Sequence, residues 1–203
     1  RASYGEGEQL LSASLLGQVR HREGGRRIDE ADYVRLRRAG FDGLAPLLRE
    51  VVRMQFGQAI EILGIDLFAM PRGPAEGGAR ETGRSPDFTS FSYPPYRTWA
   101  SPARLEQLGA APNDRIPLAA GRTLPPLEPL PGRQLGHRML MDIGALQGLT
   151  GSAGELSSLL IFPAEGERLD RLVAALPAEL MFVPASDAPD PAELTRSFHL
   201  NLA

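Results

Sequence analysis

The segment RRIDEADYVRLRRAG, residues 26–40, predicts a helix with a signal at each end. Asp29 is a good N-cap, because its carboxylate can accept a hydrogen bond from a free amide of the first turn. Tyr33 and Leu36 are three residues apart and share one face. Gly40 can adopt the left-handed conformation that commonly ends a helix. We therefore predict a helix that starts after Asp29 and stops at Gly40.

Strands are predicted on both sides of this helix. Residues 13–20 alternate apolar and polar side chains, which is typical of a half-buried strand. The same alternation returns in residues 48–56, and a turn at Gly57 and Gln58 separates it from a further strand in residues 59–65. The first part of the chain therefore has the order strand, helix, strand, strand.

The last third of the chain repeats this theme. Asp142 is a plausible N-cap after the apolar run Met139–Met141, and residues 165–176 have apolar side chains at helical spacing. The predicted order is strand 139–141, helix 143–149, strand 157–162, helix 165–176, strand 179–183 and a final helix opened by Asp190. That final helix has no stop signal, so we expect the chain to be excised from a longer protein.

Proline divides the chain. Twelve of the 18 prolines lie between Pro71 and Pro131, which excludes a long helix there. A short helix after Ser101 and two short strands, near residues 115–118 and 122–127, are predicted in this part. The fold class is therefore α+β: residues 1–70 and 137–203 form one α/β subdomain of two strand-helix-strand units, and residues 71–136 form a small, mostly β subdomain inserted into it.

Composition excludes several chemistries. The chain has 203 residues, a net charge of -3, no Cys and 22 basic residues that are all Arg. Lysine Schiff bases, Walker phosphate loops and thiol nucleophiles are therefore absent. The one basic concentration is interpreted as a solvated face, since no aromatic residues for base stacking are interleaved with it, and nucleic acid is not an expected partner. Its members are Arg20, Arg22, Arg26, Arg27, Arg35, Arg37 and Arg38.

No catalytic, cofactor-binding or metal-binding residue is predicted. His21, His137 and His199 lack metal-ligand spacing, and no GxSxG motif occurs. The acidic groups near Asp29 and at Glu165 and Glu167 fall in predicted first helical turns, where negative charge is favourable, so we assign them to capping.

The segment FTSFSYPPYRTW, residues 88–99, holds five aromatic residues: Phe88, Phe91, Tyr93, Tyr96 and Trp99. Aromatic residues flanked by Pro and Ser suit a recognition loop or a lid, which would contact a partner or a substrate. They equally suit a strand that joins the middle subdomain to its neighbour. Both interpretations stay open at this point.

The order of these parts resembles the periplasmic core domain of MacB-like and FtsX-like ABC transporter permeases. The resemblance rests on RRIDEADYVRLRRAG, on LAPLLREVV (44–52) and IEILGIDLFAMP (60–71), and on TWASPARLEQLGAAPNDRIPLAAG (98–121) and MLMDIGALQGL (139–149). It runs from about Ser12 to Leu176 and is specific in order and spacing more than in single residues.

The resemblance implies a porter-like α/β subdomain with a small inserted subdomain, carried in the periplasm between the first two membrane helices of an inner-membrane permease. A separate cytoplasmic ATPase would hydrolyse ATP, and the domain would transmit motion to move or release lipid, lipoprotein, peptide or drug. The implied partners are that ATPase, a second permease protomer, and a periplasmic adaptor or substrate protein. No enzyme activity and no cofactor are implied.

Two other functions compete with this expectation. A hydrolase or lyase would use a carboxylate with His137 or His199 in a pocket between the subdomains. A periplasmic small-molecule-binding domain would need a closed apolar pocket near residues 88–99.

Overall fold

The structure is a computed structural model that describes residues 15–71, 88–130 and 135–187. Within these ranges ten strands and five helices occur in the order β1 Gly17–His21, β2 Ile28–Asp29, α1 Glu30–Arg38, β3 Leu44–Arg53, β4 Ala59–Ile65, α2 Phe88–Ser92, β5 Thr98–Ala100, α3 Pro102–Gln107, β6 Leu127–Pro129, β7 Met139–Asp142, α4 Ile143–Thr150, β8 Glu155–Leu156, β9 Ser158–Ile161, α5 Leu169–Ala175 and β10 Leu180–Pro184. The predicted α+β class is confirmed. None of the described helices is long and apolar enough to cross a membrane.

The described residues form two compact units. The first comprises 15–47, 68–71 and 154–187, and the second comprises 48–67, 88–130 and 135–153. The predicted boundaries, residues 1–70 with 137–203 and residues 71–136, do not coincide with this division, because β4, β7 and α4 belong to the second unit. As limits of subdomains in the whole domain, those boundaries stay a prediction.

The first unit contains an antiparallel sheet in the order β10-β1-β9-β3, in which β3 contributes Leu44–Leu47. The helix α1 has the predicted ends: the Asp29 carboxylate accepts a hydrogen bond from the Ala31 amide at 2.8 Å, and Gly40 has a φ of 91°. Leu36 is the buried residue of α1. The local signals in residues 26–40 therefore specified this helix correctly.

The second unit contains a mixed sheet in the order β3-β4-β7-β5-β6, in which β4 is parallel to β7 and β5 is parallel to β6. The helix α4 packs on β4 and β7. Its N-cap is Asp142, as predicted, and the Asp142 carboxylate accepts a hydrogen bond from the Ala145 amide at 3.1 Å. One face of this sheet contributes side chains to a buried apolar cluster. The members of the cluster are Leu48, Ile60, Ile62, Ala100, Leu105, Ile116, Leu118, Leu124, Leu127, Met139, Met141 and Leu146.

Two predicted strands in the middle of the chain are wrong. Residues 115–118 and 122–127 make only single bridges, Met54 with Leu118 and Pro117 with Thr123, and the strand lies at Leu127–Pro129 instead. Proline explains this, because Pro117, Pro125 and Pro126 have no amide to donate to a ladder.

The helix predicted over residues 165–176 is shorter than expected and begins at Leu169. Gly166 has a φ of 74°, which places a turn where the first helical turn was predicted. Glu165 and Glu167 therefore do not lie in a helix, and the capping role assigned to them is wrong. Residues 13–14 of the first predicted strand and the helix predicted from Asp190 lie outside the described residues.

Candidate functional site

The aromatic segment, residues 88–99, contributes a buried layer to the second unit. Phe91 and Trp99 have no exposed surface, and their ring centroids are 4.1 Å apart. Phe88 meets Trp99 edge-on at 5.5 Å. The Trp99 indole N–H donates to the Glu128 carboxylate at 3.3 Å, so the polar atom of the buried ring is satisfied. Trp99 lies opposite Leu140 in the β5–β7 ladder, and the segment therefore packs on the sheet.

Tyr93 is the member of this segment that faces solvent. Its side chain is 56% exposed, whereas Phe88 and Tyr96 are half-buried. Tyr93 and Tyr96 lie at the two ends of a turn that contains the cis Pro94–Pro95 bond and is closed by a 2.8 Å hydrogen bond from the Tyr96 amide to the Tyr93 carbonyl. Contact with a partner or a substrate stays a prediction for all five aromatic residues, and Tyr93 has the area to make it.

A charged cluster surrounds Glu61 on β4. One carboxylate oxygen of Glu61 pairs with Arg49, and the other pairs with Arg138 at 3.1 Å and with His137 at 3.2 Å. The Arg138 side chain is only 8% exposed, so this pairing neutralises a nearly buried cation. Because both oxygens are engaged, Glu61 is poorly placed to act as a general base with His137.

The other histidines form no site within the described ranges. The His21 Nδ1 atom accepts a hydrogen bond from the Glu23 amide at 3.1 Å, and His199 lies outside the described residues. No group of three or more His, Asp or Glu side chains suited to a metal ion occurs in the part of the chain that the structure describes.

Five of the seven arginines in the basic concentration have partners within the first unit. The interactions are Arg22 with the Ala178 carbonyl, Arg26 with Glu23, Arg27 with the Ser157 hydroxyl, Arg35 with Asp32, and Arg37 with Asp42. Burial raises the pKa of Asp32 more than the neighbouring Arg35 lowers it. These contacts support the interpretation of the cluster as a structural, solvated face.

A cavity of about 210 Å³ lies in the first unit, which the sequence did not indicate. Phe68, Met70, Phe162 and Pro163 line it together with Arg37 and Asp42. Glu167 braces the adjacent loop, because its carboxylate accepts hydrogen bonds from the Asp42 and Gly43 amides. Pockets that enclose small molecules usually measure about 300–1,000 Å³, so this cavity is small for such a ligand.

Two solved structures share the fold of this chain. The periplasmic region of MacB from Actinobacillus actinomycetemcomitans matches with a TM-score of 0.59 and 7% identity, over 88% of this chain and 92% of that chain. The extracellular domain of YknZ, a noncanonic ABC-type transporter from Gram-positive bacteria, matches with a TM-score of 0.52 and 12% identity, over 83% of this chain and 99% of that chain.

Neither a protein-family model nor a curated protein matches the sequence. The comparison therefore rests on similarity to solved structures, which at such low identity establishes the fold alone. The chain has the fold of the extracytoplasmic domains of ABC-type transporters, and the predicted MacB-like architecture is confirmed.

Proposed function

We propose that this chain is the extracytoplasmic domain of an ABC transporter permease of the bacterial inner membrane, located in the periplasm. It couples ATP hydrolysis by a cytoplasmic ATPase to the movement or release of a substrate such as a lipid, lipoprotein, peptide or drug. The observation that carries this proposal is the match to YknZ, because it covers 99% of a transporter's extracellular domain and is therefore not limited to a shared fragment.

The interior of the second unit supports a role in transmitting motion. Its sheet is packed on both faces, by the apolar cluster on one and by Phe91 and Trp99 on the other. Close-packed protein interiors have low compressibility and transmit strain. A unit of this kind can pass a displacement on from one end to the other.

The partners proposed are the cytoplasmic ATPase, a second permease protomer, and a periplasmic adaptor or substrate protein. Tyr93 is the aromatic residue of the 88–99 segment with enough exposed area for such a contact. The catalytic alternative receives no comparable support, since the carboxylate beside His137 is bound by two arginines.

The location can be tested by labelling, because the chain has no cysteine of its own. Tyr93→Cys, introduced as the single cysteine into a parent protein from which any cysteine outside this chain has been removed, should react with a membrane-impermeant maleimide in cells whose outer membrane has been permeabilised. The control is Ser158→Cys, a nearly isosteric change at a 5% exposed position, which should stay unlabelled until the protein is unfolded. Labelling of Tyr93→Cys only after lysis of the inner membrane would contradict the location.

The coupling needs a separate measurement on the parent permease assembled with its ATPase in lipid nanodiscs. We expect maleimide labelling at Tyr93→Cys to differ in rate between the nucleotide-free state and the vanadate-trapped state. Labelling at an exposed position of the first unit, Val173→Cys, gives a second reading of the same motion. Equal rates in the two states at both positions would argue against coupling and leave the location unaffected.

A further inference from the structure

The turn between β3 and β4 carries the most exposed large hydrophobic side chain among the described residues. Phe56 is 92% exposed, and Val51, on the neighbouring strand, is 64% exposed. Pro117, Ala119 and Ala120 are also exposed, in a loop that hydrogen-bonds to this turn. We call residues 53–58 together with residues 115–121 the hairpin tip. Phe56 therefore lies on a turn whose hydrogen-bonded neighbour loop also exposes apolar residues.

The backbone of the hairpin tip is held in place. The Met54 amide donates to the Gln58 carbonyl at 2.8 Å, and the Gly57 amide donates to the Met54 carbonyl at 2.9 Å. Gly57 has a φ of 92°, which favours glycine at this position. These bonds fix the turn and leave the Phe56 ring pointing away from the core.

The loop beside the turn adds a second set of contacts. The Gln55 amide donates to the Pro117 carbonyl at 3.0 Å, and the Ala119 amide donates to the Arg53 carbonyl at 2.9 Å. Leu118 belongs to the buried cluster of the second unit, so the loop is anchored in the core. Because the backbone beneath the ring is already held in place, binding costs little further backbone entropy.

The charged side chains of the hairpin tip are all positive. Arg53 and Arg115 are exposed there, and residues 51–59 and 115–121 contain no Asp or Glu, although the whole chain has a net charge of -3. None of the ion pairs among the described residues involves Arg53 or Arg115. The hairpin tip therefore offers two cations to an acidic surface.

We propose that the hairpin tip is a docking site for a second protein that presents an apolar hole for the Phe56 ring, bordered by carboxylates that pair with Arg53 and Arg115. An aromatic anchor surrounded by contacts that exclude water is typical of the centre of a protein interface. The small residues beside it, Gly57 and Ala119, let a partner surface approach closely. This surface is a property of the second unit and does not depend on the transport function.

A protein fits the hairpin tip better than a membrane does. Stable attachment to a lipid surface needs more than one strong signal, such as two acyl chains or one chain with a polybasic patch. One ring and two arginines on a fixed turn fall short of that. They suffice for the centre of a protein interface, where a few residues supply most of the binding energy.

The test places the photo-crosslinker p-benzoylphenylalanine at position 56 of the full parent protein in its native cells. The matched control carries it at Phe68, a 72% exposed aromatic residue in the first unit. We expect a discrete adduct with one other protein at position 56, identified by mass spectrometry and absent at position 68. Arg53→Glu should reduce this adduct at least tenfold.

Purified components then give the strength of the contact. Phe56→Ala should raise the Kd for the identified protein about 30-fold or more, as expected for an anchor residue. Both altered side chains are exposed, so the melting temperature of each variant should stay within a few degrees of the wild type. That measurement separates a lost contact from a lost fold.

Several results would overturn the proposal. In the crosslinking experiment they are an adduct no stronger at position 56 than at position 68, adducts with lipid alone, or an adduct with a second copy of this chain. An adduct that Arg53→Glu leaves unchanged would also overturn it. In the binding measurement, the contrary result is a Kd that Phe56→Ala does not alter. None of these results would affect the labelling at Tyr93 that tests the location of the domain, so the two proposals fail separately.

Discussion

Replacing Phe91 with alanine tests whether the aromatic segment belongs to the core of the second unit. Phe91 has no exposed surface, and its ring centroid lies 4.1 Å from that of Trp99. Truncating a buried Phe to Ala usually lowers the free energy of unfolding by about 3–5 kcal/mol, through lost apolar burial and the cavity left behind. The aromatic pair contributes about 0.5–1.5 kcal/mol of that. If the segment were instead a mobile recognition loop, the change would be well below about 1 kcal/mol.

The chain provides its own probe for this experiment, because Trp99 is its only tryptophan. Urea unfolding followed by Trp99 fluorescence reports on the unit that contains Phe91. With a denaturant slope of about 2 kcal/mol/M, the expected loss moves the urea midpoint down by roughly 1.5–2.5 M. A blue-shifted emission of the wild type, in keeping with a fully buried indole, should move to longer wavelength in Phe91→Ala.

Two further variants serve as controls for the effect of Phe91→Ala on stability. Phe91→Leu retains most of the volume and should lower the free energy of unfolding by only about 1 kcal/mol, which gives a folded variant if Phe91→Ala does not fold. Tyr93→Ala, two residues away and 56% exposed, should change it by about 0.5 kcal/mol or less. If Phe91→Ala shifts the midpoint no more than Tyr93→Ala does, Phe91 is not a core residue.

Two further variants test the electrostatics of the second unit. Glu61→Gln removes the carboxylate that pairs at 3.1 Å with the Arg138 side chain, which is 8% exposed, and should lower the free energy of unfolding by about 2–4 kcal/mol in urea unfolding. Glu23→Gln, which breaks an exposed pair, is the control and should change it by less than about 0.5 kcal/mol; equal effects would show that the burial of the pair is unimportant. Burial raises the pKa of Asp142 above its ordinary value of 3.8, outweighing the amide hydrogen bonds from Ala145 and Gly144 that lower it. The folded state therefore holds the Asp142 proton more tightly than the unfolded chain does, and the stability that this group contributes falls as the pH rises through its raised pKa. Asp142→Asn has no such proton to lose, so it should gain stability relative to the wild type between pH 4 and pH 7. A difference in Tm between the two proteins that stays constant across that range would refute this.

The elements that the sequence predicted well are specified by residues that lie only a few positions apart in the chain. The N-caps Asp29, Ser101 and Asp142 all accept a hydrogen bond from an amide two or three residues ahead, so each helix start depends on one side chain and the turn beside it. Local chemistry of this kind can be read without knowing what the segment packs against.

The wrong predictions concern segments in which a local sequence pattern was overridden by another physical constraint. Residues 115–118 and 122–127 have the composition of strands, but their prolines remove ladder donors. Residues 165–168 carry the charge of a first helical turn, but Gly166 makes a turn there and the Glu167 carboxylate binds the amides of Asp42 and Gly43. That partner is more than 120 residues away in the chain, so no local pattern could indicate it.

The two candidate contact surfaces, the aromatic segment and the hairpin tip, also differ in how much of them the sequence could predict. The aromatic segment was conspicuous in the sequence, but its composition left a recognition loop and a packed strand equally open. The β5–β7 ladder and the stacking of Phe91 on Trp99 separate the buried rings from Tyr93. Phe56 gave no sequence signal beyond its place in an alternating strand, and only its position on a braced turn shows that it faces solvent.

By itself, the sequence determined the α+β class, the capped helices and the order of parts that resembles MacB-like periplasmic domains, because caps, turns and periodicity depend on neighbours in the chain. Tertiary structure decided the parallel pairing of Ile62 with Met139, the second unit built around it, and which aromatic side chains are buried. Those features arise from contacts between residues far apart in the chain, and burial is settled only when such contacts exclude water from both partners.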